Sequence, residues 1–495
     1  MQEVSSAMRI EELLEKKEQL QLEILRQLIL QGGRLPIADL RKTVGLSRNA
    51  FEQYVEDLEY LCQVSKISLK LVYKGGDLVL QLPAENNLAD VVELLVSESI
   101  QYQLLEFLLR HKEFTIVQLV NEFMISESSV FRKIKELNRL LAEFGLQIKN
   151  GQWIGEEGQI RYFYTQLYRF LPHNLPEFMQ LTMENQNFIR ALEQVVETQF
   201  PQEATEKICR WMGVTRKRLT AKKTQTEKIQ QLMKPYMTNA LYQKIDHVVT
   251  LYFSRTSLEV TPSESMLFYS FVIANQLLDE ETAYRFELLR SKKLPTAVVD
   301  VYVRETLLLY YRPRRLSIEM EEKIGYQLAR IHNELYFFQG KIEPYQRDQM
   351  LNKQKHLLGT ALSHLVDQLT ALALKQLNQP FSKTNTLQQY LPQDYANVLS
   401  MIDFYLMDNL QIGIDLTISW REPFYQLLDS ALRPIIGVQV EDYQKGQSYD
   451  LILTNKSHSL DYAGQPVIYR LSEFASAYDL KEIKALVTRL KKAKS

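Results

Sequence analysis

Cysteine, long apolar runs and an excess of charge of either sign are all scarce in this chain. Only two cysteines occur among 495 residues, Cys62 and Cys209, which excludes a disulfide framework and gives no metal-ligand spacing for zinc. No uninterrupted apolar run reaches the length that a membrane-spanning helix needs. The formal net charge is −1, so any nucleic-acid binding must come from a local patch of positive charge.

The N-terminal stretch MQEVSSAMRIEELLEKK lacks the apolar core of a secretory signal, and its composition predicts a polar helical lead-in. We therefore expect a cytoplasmic protein without membrane association. No nucleophile triad, metal-ligand cluster or glycine-rich phosphate loop stands out, so the sequence predicts neither an enzyme nor a bound metal or cofactor. A hydrophobic content of 45% and the length of the chain predict a globular protein of several domains.

The most informative stretch runs from Thr115 to Gly145 and reads as two helices joined by a tight turn. Apolar residues recur at helical spacing on both sides of Ser126, which is a good N-cap for the second helix. A short helix, a turn and a longer helix with a cationic outer face are typical of a DNA-binding helix-turn-helix. An ordinary helical hairpin with a solvated face is the alternative. At about 100° per residue, the outer face of the second helix carries Ser128, Ser129, Arg132, Lys135, Glu136 and Arg139.

The same pattern occurs earlier in the chain, and every matched pair keeps one constant separation without a gap. A preceding helix is also duplicated, and a hairpin signal follows each copy, at Gly75-Gly76 and at Asn150-Gly151. Three helices followed by a two-stranded wing predict a winged helix, here in tandem. The first copy contributes Ile37, Leu40, Val44, Leu46, Ser47, Phe51, Val55, Leu58 and Leu61, which match Ile116, Leu119, Phe123, Ile125, Ser126, Val130, Ile134, Leu137 and Leu140.

The two copies differ in the charge of this outer face, which is net positive in the second copy and net negative in the first. Because contacts between cations and phosphates supply most of the affinity for DNA, we expect the second copy to bind DNA more strongly. A packing or protein-contact module is the alternative for the first copy. The candidate DNA contacts are Ser126, Ser128, Ser129, Arg132, Lys133, Lys135 and Arg139 in the second copy, and Arg48, Asn49 and Gln53 in the first.

Beyond the second wing, the chain has long amphipathic helical stretches up to Pro392, after which strand and helix patterns alternate. The alternation predicts a small α/β domain with a mainly parallel sheet. The predicted fold is therefore mainly α and multidomain. The expected domains are two winged helices at residues 1–85 and 86–160, two helical domains at 161–290 and 291–395, and an α/β tail at 396–495.

This order of parts resembles the Mga/AtxA family, which are virulence and global transcription regulators of Gram-positive bacteria. The strongest local matches are FTIVQLVNEFMISESSVFRKIKELN and WIGEEGQIRYFYTQLY. The resemblance implies two helical PTS regulation domains (PRDs) in the middle and a tail similar to the EIIB component of sugar phosphotransferase systems. It also implies a homodimer formed through that tail, binding to A+T-rich or curved duplex DNA, and PTS phosphocarrier proteins as further partners.

PTS regulation domains carry histidines that the phosphotransfer system can phosphorylate, and the resemblance points to His247 and His332. His247 follows Asp246 and precedes Arg255, as in such domains, whereas His332 lacks a preceding aspartate. A phosphorylated histidine needs an exposed imidazole nitrogen, and a histidine that only packs or hydrogen-bonds is the alternative at both positions. The tail contains no cysteine, so it does not carry phosphate as a working EIIB does.

Other functions compete with DNA binding. An RNA-binding antiterminator also carries PTS regulation domains, but it begins with a small β-rich module, and the helical, duplicated start of this chain argues against it. A phosphotransfer enzyme would need a phosphate-carrying residue in a phosphate-cradling loop, which does not appear. An adaptor that binds only protein remains open if the cationic face is merely solvated.

Overall fold

The computed structural model describes residues 8–83, 85–219, 221, 225–254, 261–289, 291, 293–312, 316–343, 360–377, 385–405, 410–417, 421–435, 437–456, 462–472 and 476–494. Arg255, part of the motif around His247, lies outside them. The chain forms two compact units, one made of Met1–Arg312 with Ser317–Ala396 and the other of Pro313–Leu316 with Asn397–Ser495. In the part of the chain that the structure describes, no helix is both long enough and apolar enough to cross a membrane.

The first unit begins with a winged helix made of three helices and a wing, as the repeat predicts. Strand β1 (Met8–Arg9) precedes it, and its own elements are α1 (Lys16–Leu30), β2 (Arg34–Pro36), α2 (Ile37–Val44), α3 (Arg48–Val64), β3 (Lys70–Lys74) and β4 (Asp77–Gln81). The wing is an antiparallel sheet in the order β2-β4-β3. Gly75 and Gly76 form its tight turn with φ of 61° and 89°, a backbone conformation that glycine adopts without strain.

The second winged helix repeats this arrangement with a smaller wing. Its elements are α4 (Leu88–Glu98), α5 (Ile100–His111), α6 (Ile116–Phe123), α7 (Glu127–Leu141), β5 (Gln147–Lys149) and β6 (Gln152–Ile154). The strands β5 and β6 pair antiparallel across Asn150 and Gly151, whose φ values of 51° and 72° suit a two-residue hairpin. Both predicted hairpin turns are therefore confirmed.

The N-terminal segment differs from the predicted polar helical lead-in. Residues Met8 and Arg9 form β1, which pairs in parallel with a strand that is far away in the sequence, β7 (Ile342–Glu343). Met8, Ile10 and Leu13 are buried, because a 3-10 turn (Ile10–Leu13) folds them inward. The buried carboxylate of Glu143 accepts hydrogen bonds from the backbone N–H groups of Met8 and Lys341 and from the Tyr390 hydroxyl.

The described residues in the remainder of the first unit are mainly helical, with β7 as a short strand, which agrees with the sequence pattern. A single helix, α8, lies at its centre and is buried along nearly its whole length. Its Tyr164 hydroxyl donates to the Leu105 carbonyl at 2.7 Å, and its Tyr162 hydroxyl donates to Glu334 at 2.8 Å, so α8 joins the second winged helix to the helical region. The helices are α8 (Glu157–Tyr168), α9 (Met183–Val196), α10 (Gln202–Arg218), α11 (Glu227–Met233), α12 (Ala240–Ser254), α13 (Ser263–Ala274), α14 (Glu280–Arg285), α15 (Pro295–Tyr310), α16 (Ile318–Phe337), α17 (Thr360–Leu377) and α18 (Leu391–Tyr405).

The second unit contains a four-stranded sheet in the order β11-β10-β8-β9, in which every pairing is parallel. Ile412, Leu453, Leu428 and Ile483 share its buried apolar core. The predicted parallel sheet in the tail is confirmed. Its elements are β8 (Leu410–Asp415), α19 (Arg421–Leu432), β9 (Val438–Asp442), β10 (Leu451–Thr454), β11 (Val467–Arg470) and α20 (Ala477–Lys494).

Candidate nucleic-acid interface

Local hydrogen bonds fix where the two helices of the second helix-turn-helix begin. The Thr115 hydroxyl accepts from the Gln118 N–H at 3.3 Å, and the Gln118 side chain accepts from the Thr115 N–H at 2.8 Å, which is a capping box. Met124 ends α6 in the left-handed conformation. The Ser126 hydroxyl then accepts from the Ser129 N–H at 3.3 Å and so caps the start of α7.

The rotation of α7 about its own axis is set by its apolar residues. Val130, Leu137 and Leu141 are fully buried on one side of the helix, as is Leu119 on α6. Because these side chains occupy one face, the residues on the opposite face must point to solvent. The sequence-predicted outer face is therefore exposed in the folded chain.

The exposed face of α7 brings together most of the predicted DNA contacts of the second module. Ser126, Ser128, Arg132, Lys135 and Arg139 are exposed, and Ser129 is half-buried. Among the residues that the structure describes, Arg132 and Lys135 form no ion pair, whereas Arg139 lies 3.3 Å from the Glu12 carboxylate. We call the residues Ser128, Arg132, Lys135 and Arg139 the cationic face.

The structure corrects the predicted placement of Lys133, which does not belong to the cationic face. Its side chain is 4% exposed, and its ammonium group pairs with Glu15 and lies 3.6 Å from Glu136. The physical reason is the helical period, because the residue after Arg132 is turned by about 100° toward the inner side of α7. Lys133 therefore ties α7 to the segment that precedes α1.

The candidate contacts of the first module also lie on its surface, but with less free positive charge. Arg48, Asn49 and Gln53 are all exposed on α3. The Arg48 guanidinium is 2.8 Å from the Glu52 carboxylate, so part of its charge is neutralised within the same helix. The contrast in charge between the two modules that the sequence predicts is therefore present on their surfaces.

Two exposed apolar residues beside the cationic face were missed by the sequence analysis. Met124, in the turn, is 87% exposed, and Phe131, on α7, is 57% exposed. The helical period alone places Phe131 within about 100° of Ser128, Lys135 and Arg139, so its position could have been found from the sequence. The first module has Gly45 and Glu52 at the matching positions.

The first candidate for phosphorylation, His247, meets the requirement of accessibility. It is exposed on α12, next to the half-buried Asp246. A hollow of about 240 Å³ between α9 and α12 is lined by Glu184, Phe188, Tyr252 and Val248, the residue that follows His247. Its imidazole is therefore open to a protein donor of phosphate.

The second candidate, His332, is fully buried between three helices. Its Nδ1 is hydrogen-bonded to the Asp300 carboxylate on α15, and its Nε2 is hydrogen-bonded to the Tyr395 hydroxyl on α18 at 2.7 Å. Burial raises the pKa of Asp300, and the bond from His332 acts in the opposite direction. With both ring nitrogens bonded, His332 has the geometry of the structural alternative and not the exposed nitrogen that phosphorylation needs.

A buried cluster of charges anchors α8 and was not anticipated from the sequence. Arg161 pairs with Glu157 at 2.9 Å and makes two hydrogen bonds to Glu264 on α13, at 2.5 and 2.8 Å. Arg218 on α10 pairs with Glu157 at 2.7 Å. Burial pushes the pKa of Glu157 up, but the charges of Arg161 and Arg218 outweigh it and hold that pKa below its usual value. The helix that follows the second wing is therefore fixed to the helical region by four charges.

Comparison with known proteins identifies the second module. A family model described as the Mga helix-turn-helix domain matches residues 85–168, which run from α4 to the end of α8 and include the cationic face. No curated protein matches the chain. The match confirms the resemblance seen in the sequence, and a domain of this type indicates a transcription regulator that binds DNA. Residues 85–168 of the chain thus form a domain of the Mga helix-turn-helix type.

Proposed function

We propose that this protein regulates transcription by placing α7 of the second winged helix in the major groove of duplex DNA. The observation that carries the proposal is the cationic face, where Arg132 and Lys135 are exposed on the helix that follows the turn. Phosphate contacts from such residues position a recognition helix, and the N-terminal residues of the helix then reach the base edges. Ser126, Ser128 and Ser129 supply polar groups at that end.

The first module contributes less to the proposed binding. Arg48, Asn49 and Gln53 are exposed and can reach a backbone, but Glu52 and Glu56 lie on the same helix, and Glu52 pairs with Arg48. Negative charge near the phosphates lowers affinity, so we assign this module an auxiliary role. A+T-rich or curved DNA is the target that the family resemblance implies, and a face with serines and few amide side chains suits recognition of DNA shape.

Salt-dependent binding tests this proposal directly. The double variant Arg132→Ala with Lys135→Ala should bind an A+T-rich duplex more weakly in a gel-shift titration. The slope of log affinity against log salt should become shallower by about one unit for each lost phosphate contact. Arg190→Ala with Lys375→Ala is a matched control, because it removes an exposed arginine and an exposed lysine from helices of the middle region.

The two variants separate the possible outcomes. The control should keep the affinity and the salt slope of the unmodified chain. If the double variant at the cationic face behaved like the control, α7 would not be the DNA-binding helix. If the unmodified chain bound no duplex at all, an adaptor that binds only protein would be the better description.

We further propose that phosphorylation of His247 by a PTS phosphocarrier protein tunes this activity, with the middle helices acting as PTS regulation domains. The exposed imidazole on α12 supports the proposal at His247. At His332 the same role requires that α15, α16 and α18 separate, because Asp300 and Tyr395 occupy both ring nitrogens. We therefore assign the regulatory role chiefly to His247.

We also propose that the α/β tail is an EIIB-like fold that serves in homodimer formation. The parallel sheet and the absence of cysteine from residues 396–495 support a fold kept for association and not for phosphate transfer. A dimer would place two DNA-binding units on one duplex, and the second would bind at a raised effective concentration.

A further inference from the structure

The surface around the cationic face contains apolar side chains that the proposed phosphate contacts do not use. Met124 and Phe131 are 87% and 57% exposed, at the turn and near the start of α7. Single exposed apolar residues are common on protein surfaces and need no special cause. These two differ from such residues in their backbone and in their neighbours.

The backbone at Met124 is unusual for a side chain of this kind. Its φ is 53°, in the left-handed region that glycine adopts freely and other residues adopt at a cost. The first module has Gly45 at the matching position with a φ of 69°. The equivalent turn of the first module is thus made by glycine, without the strain that Met124 carries. An exposed methionine here forms no buried core, so packing does not explain why the strain is tolerated.

The neighbours of Phe131 are the polar and basic residues of the cationic face. Ser128 lies three positions before it and Lys135 four positions after it, so all three share one side of α7. In the first module the matching residue is Glu52, which pairs with Arg48. The second module alone therefore presents an aromatic ring within a positively charged helix face.

We propose that Met124 and Phe131 contact the 5-methyl groups of thymine in the major groove. This inference rests on the proposed function and adds to it a specific chemical group that the protein reads. The thymine methyl is the apolar group that base pairs present on the floor of the major groove, and apolar side chains pack against it. The surrounding cations favour a polyanion over an apolar protein partner, and they would hold the two side chains against the base edges.

Replacing thymine by uracil tests the inference, because uracil keeps the base pairing and lacks only the methyl group. We would measure the affinity of the full chain for an A+T-rich duplex and for the same duplex with deoxyuridine in place of thymidine. Loss of one buried methyl contact should weaken binding about four-fold. The variants Met124→Gly and Phe131→Ser should each show a smaller ratio between the two duplexes, and the double variant a ratio near one.

A control variant and the pattern of ratios distinguish the inference from its alternatives. Leu309→Ser removes another exposed apolar side chain, 66% exposed on α15, and should keep the full ratio. Equal binding of both duplexes by the unmodified chain would overturn the thymine contact while leaving DNA binding intact. A full ratio that persists in the double variant would also overturn it, since the effect would then come from DNA shape. Failure to bind either duplex would overturn the proposed function itself.

Discussion

Met124 occupies a backbone position that glycine takes in the duplicated module, and this difference has an energetic cost. A residue other than glycine held in the left-handed region costs on the order of 1 kcal/mol. The cost falls on a turn that sets the angle between α6 and α7. Strain of this kind is common at functional sites, which agrees with a role for the side chain outside the protein's own core.

Replacing Met124 by glycine should raise the local free energy of unfolding of the second winged helix by up to about 1 kcal/mol, because the strain is removed. Hydrogen exchange of the amides in α6 and α7 would measure the change. The reciprocal variant Gly45→Met is the matched control. No heavy atom lies within 4 Å of a Cβ built at Gly45, so this substitution isolates the backbone strain and should destabilise α2 and α3. Unchanged exchange in both variants would contradict the argument.

At the site, the sequence predicts which residues are exposed but not which distant residues they pair with. The exposed positions of Arg132, Lys135 and Arg139 follow from the apolar period of α7, and the structure has them there. The pairing of Arg139 with Glu12 and of Lys133 with Glu15 does not follow from it, because these acidic residues are far away in the chain. A local pattern carries no information on contacts over such separations.

Among the elements, α8 joins the second winged helix to the helical region and carries part of a buried charge cluster. Arg161, Glu157, Arg218 and Glu264 are all buried and mutually paired. Such a cluster contributes little net stability compared with apolar residues of the same shape, but removing one member leaves an uncompensated buried charge. The cluster therefore makes the position of α8 sensitive to each of its members.

The variant Arg161→Met should lower the free energy of unfolding of the first unit by about 3 kcal/mol. The reason is that Glu264 loses its arginine partner and Glu157 loses one of its two. Thermal melting followed by circular dichroism would measure the loss. Arg110→Met is a control on a neighbouring helix. It removes an exposed arginine 2.9 Å from Glu106 and should cost less than about 1 kcal/mol.

The stability difference between the unmodified chain and Arg161→Met should also depend on pH, in a direction that the pKa of Glu157 determines. The pKa of Glu157 is lowered in the folded chain, so its ionised form stabilises the fold. That contribution is complete above the usual value of 4.5 and is lost as the pH falls through the lower folded pKa. The difference between the unmodified chain and Arg161→Met should therefore shrink below about pH 4.5. A constant difference down to acid unfolding would count against the buried pairing.

The elements themselves were largely predictable, and the exceptions have a common cause. Gly75-Gly76 and Asn150-Gly151 mark the hairpins because tight turns require positive φ, and the helices follow from their apolar period. The strands β1 and β7 were not predictable, because two residues give no alternation and the paired strands are far apart in the sequence. The contact between Asp300 and His332 was not predictable either, because the two residues lie on different helices and are distant in the sequence.

For the molecule as a whole, the proposed phosphorylation of His247 would act on DNA binding through the proposed homodimer. His247 is exposed on α12, so a phosphoryl group there would add negative charge to the surface next to Asp246. Repulsion among these groups could change an interface between two copies of the chain. The proposed homodimer gives this change a measurable consequence.

His247→Asp should shift the balance between monomer and dimer relative to His247→Ala, because aspartate imitates part of the added charge. Light scattering on the eluting protein would measure the molar mass. Gln243→Asp, at an exposed position one turn earlier on α12, controls for added charge elsewhere on the same helix. A chain that ends at Tyr405 keeps Tyr395 beside His332 and shows the mass without the α/β tail. Equal masses for the aspartate and alanine variants would argue against a phosphorylation switch.

The burial of α8 has a consequence for how such regulators can diversify. The residues that match the family domain end with this helix, whose sides carry Tyr162, Phe163 and Tyr168. If residues 85–168 alone were transferred to another protein, α8 would lose the helices that bury it. Its aromatic and charged side chains would then be exposed to solvent. The matched domain is therefore not structurally independent, and we expect a regulator with a different signal input to retain helices that cover α8.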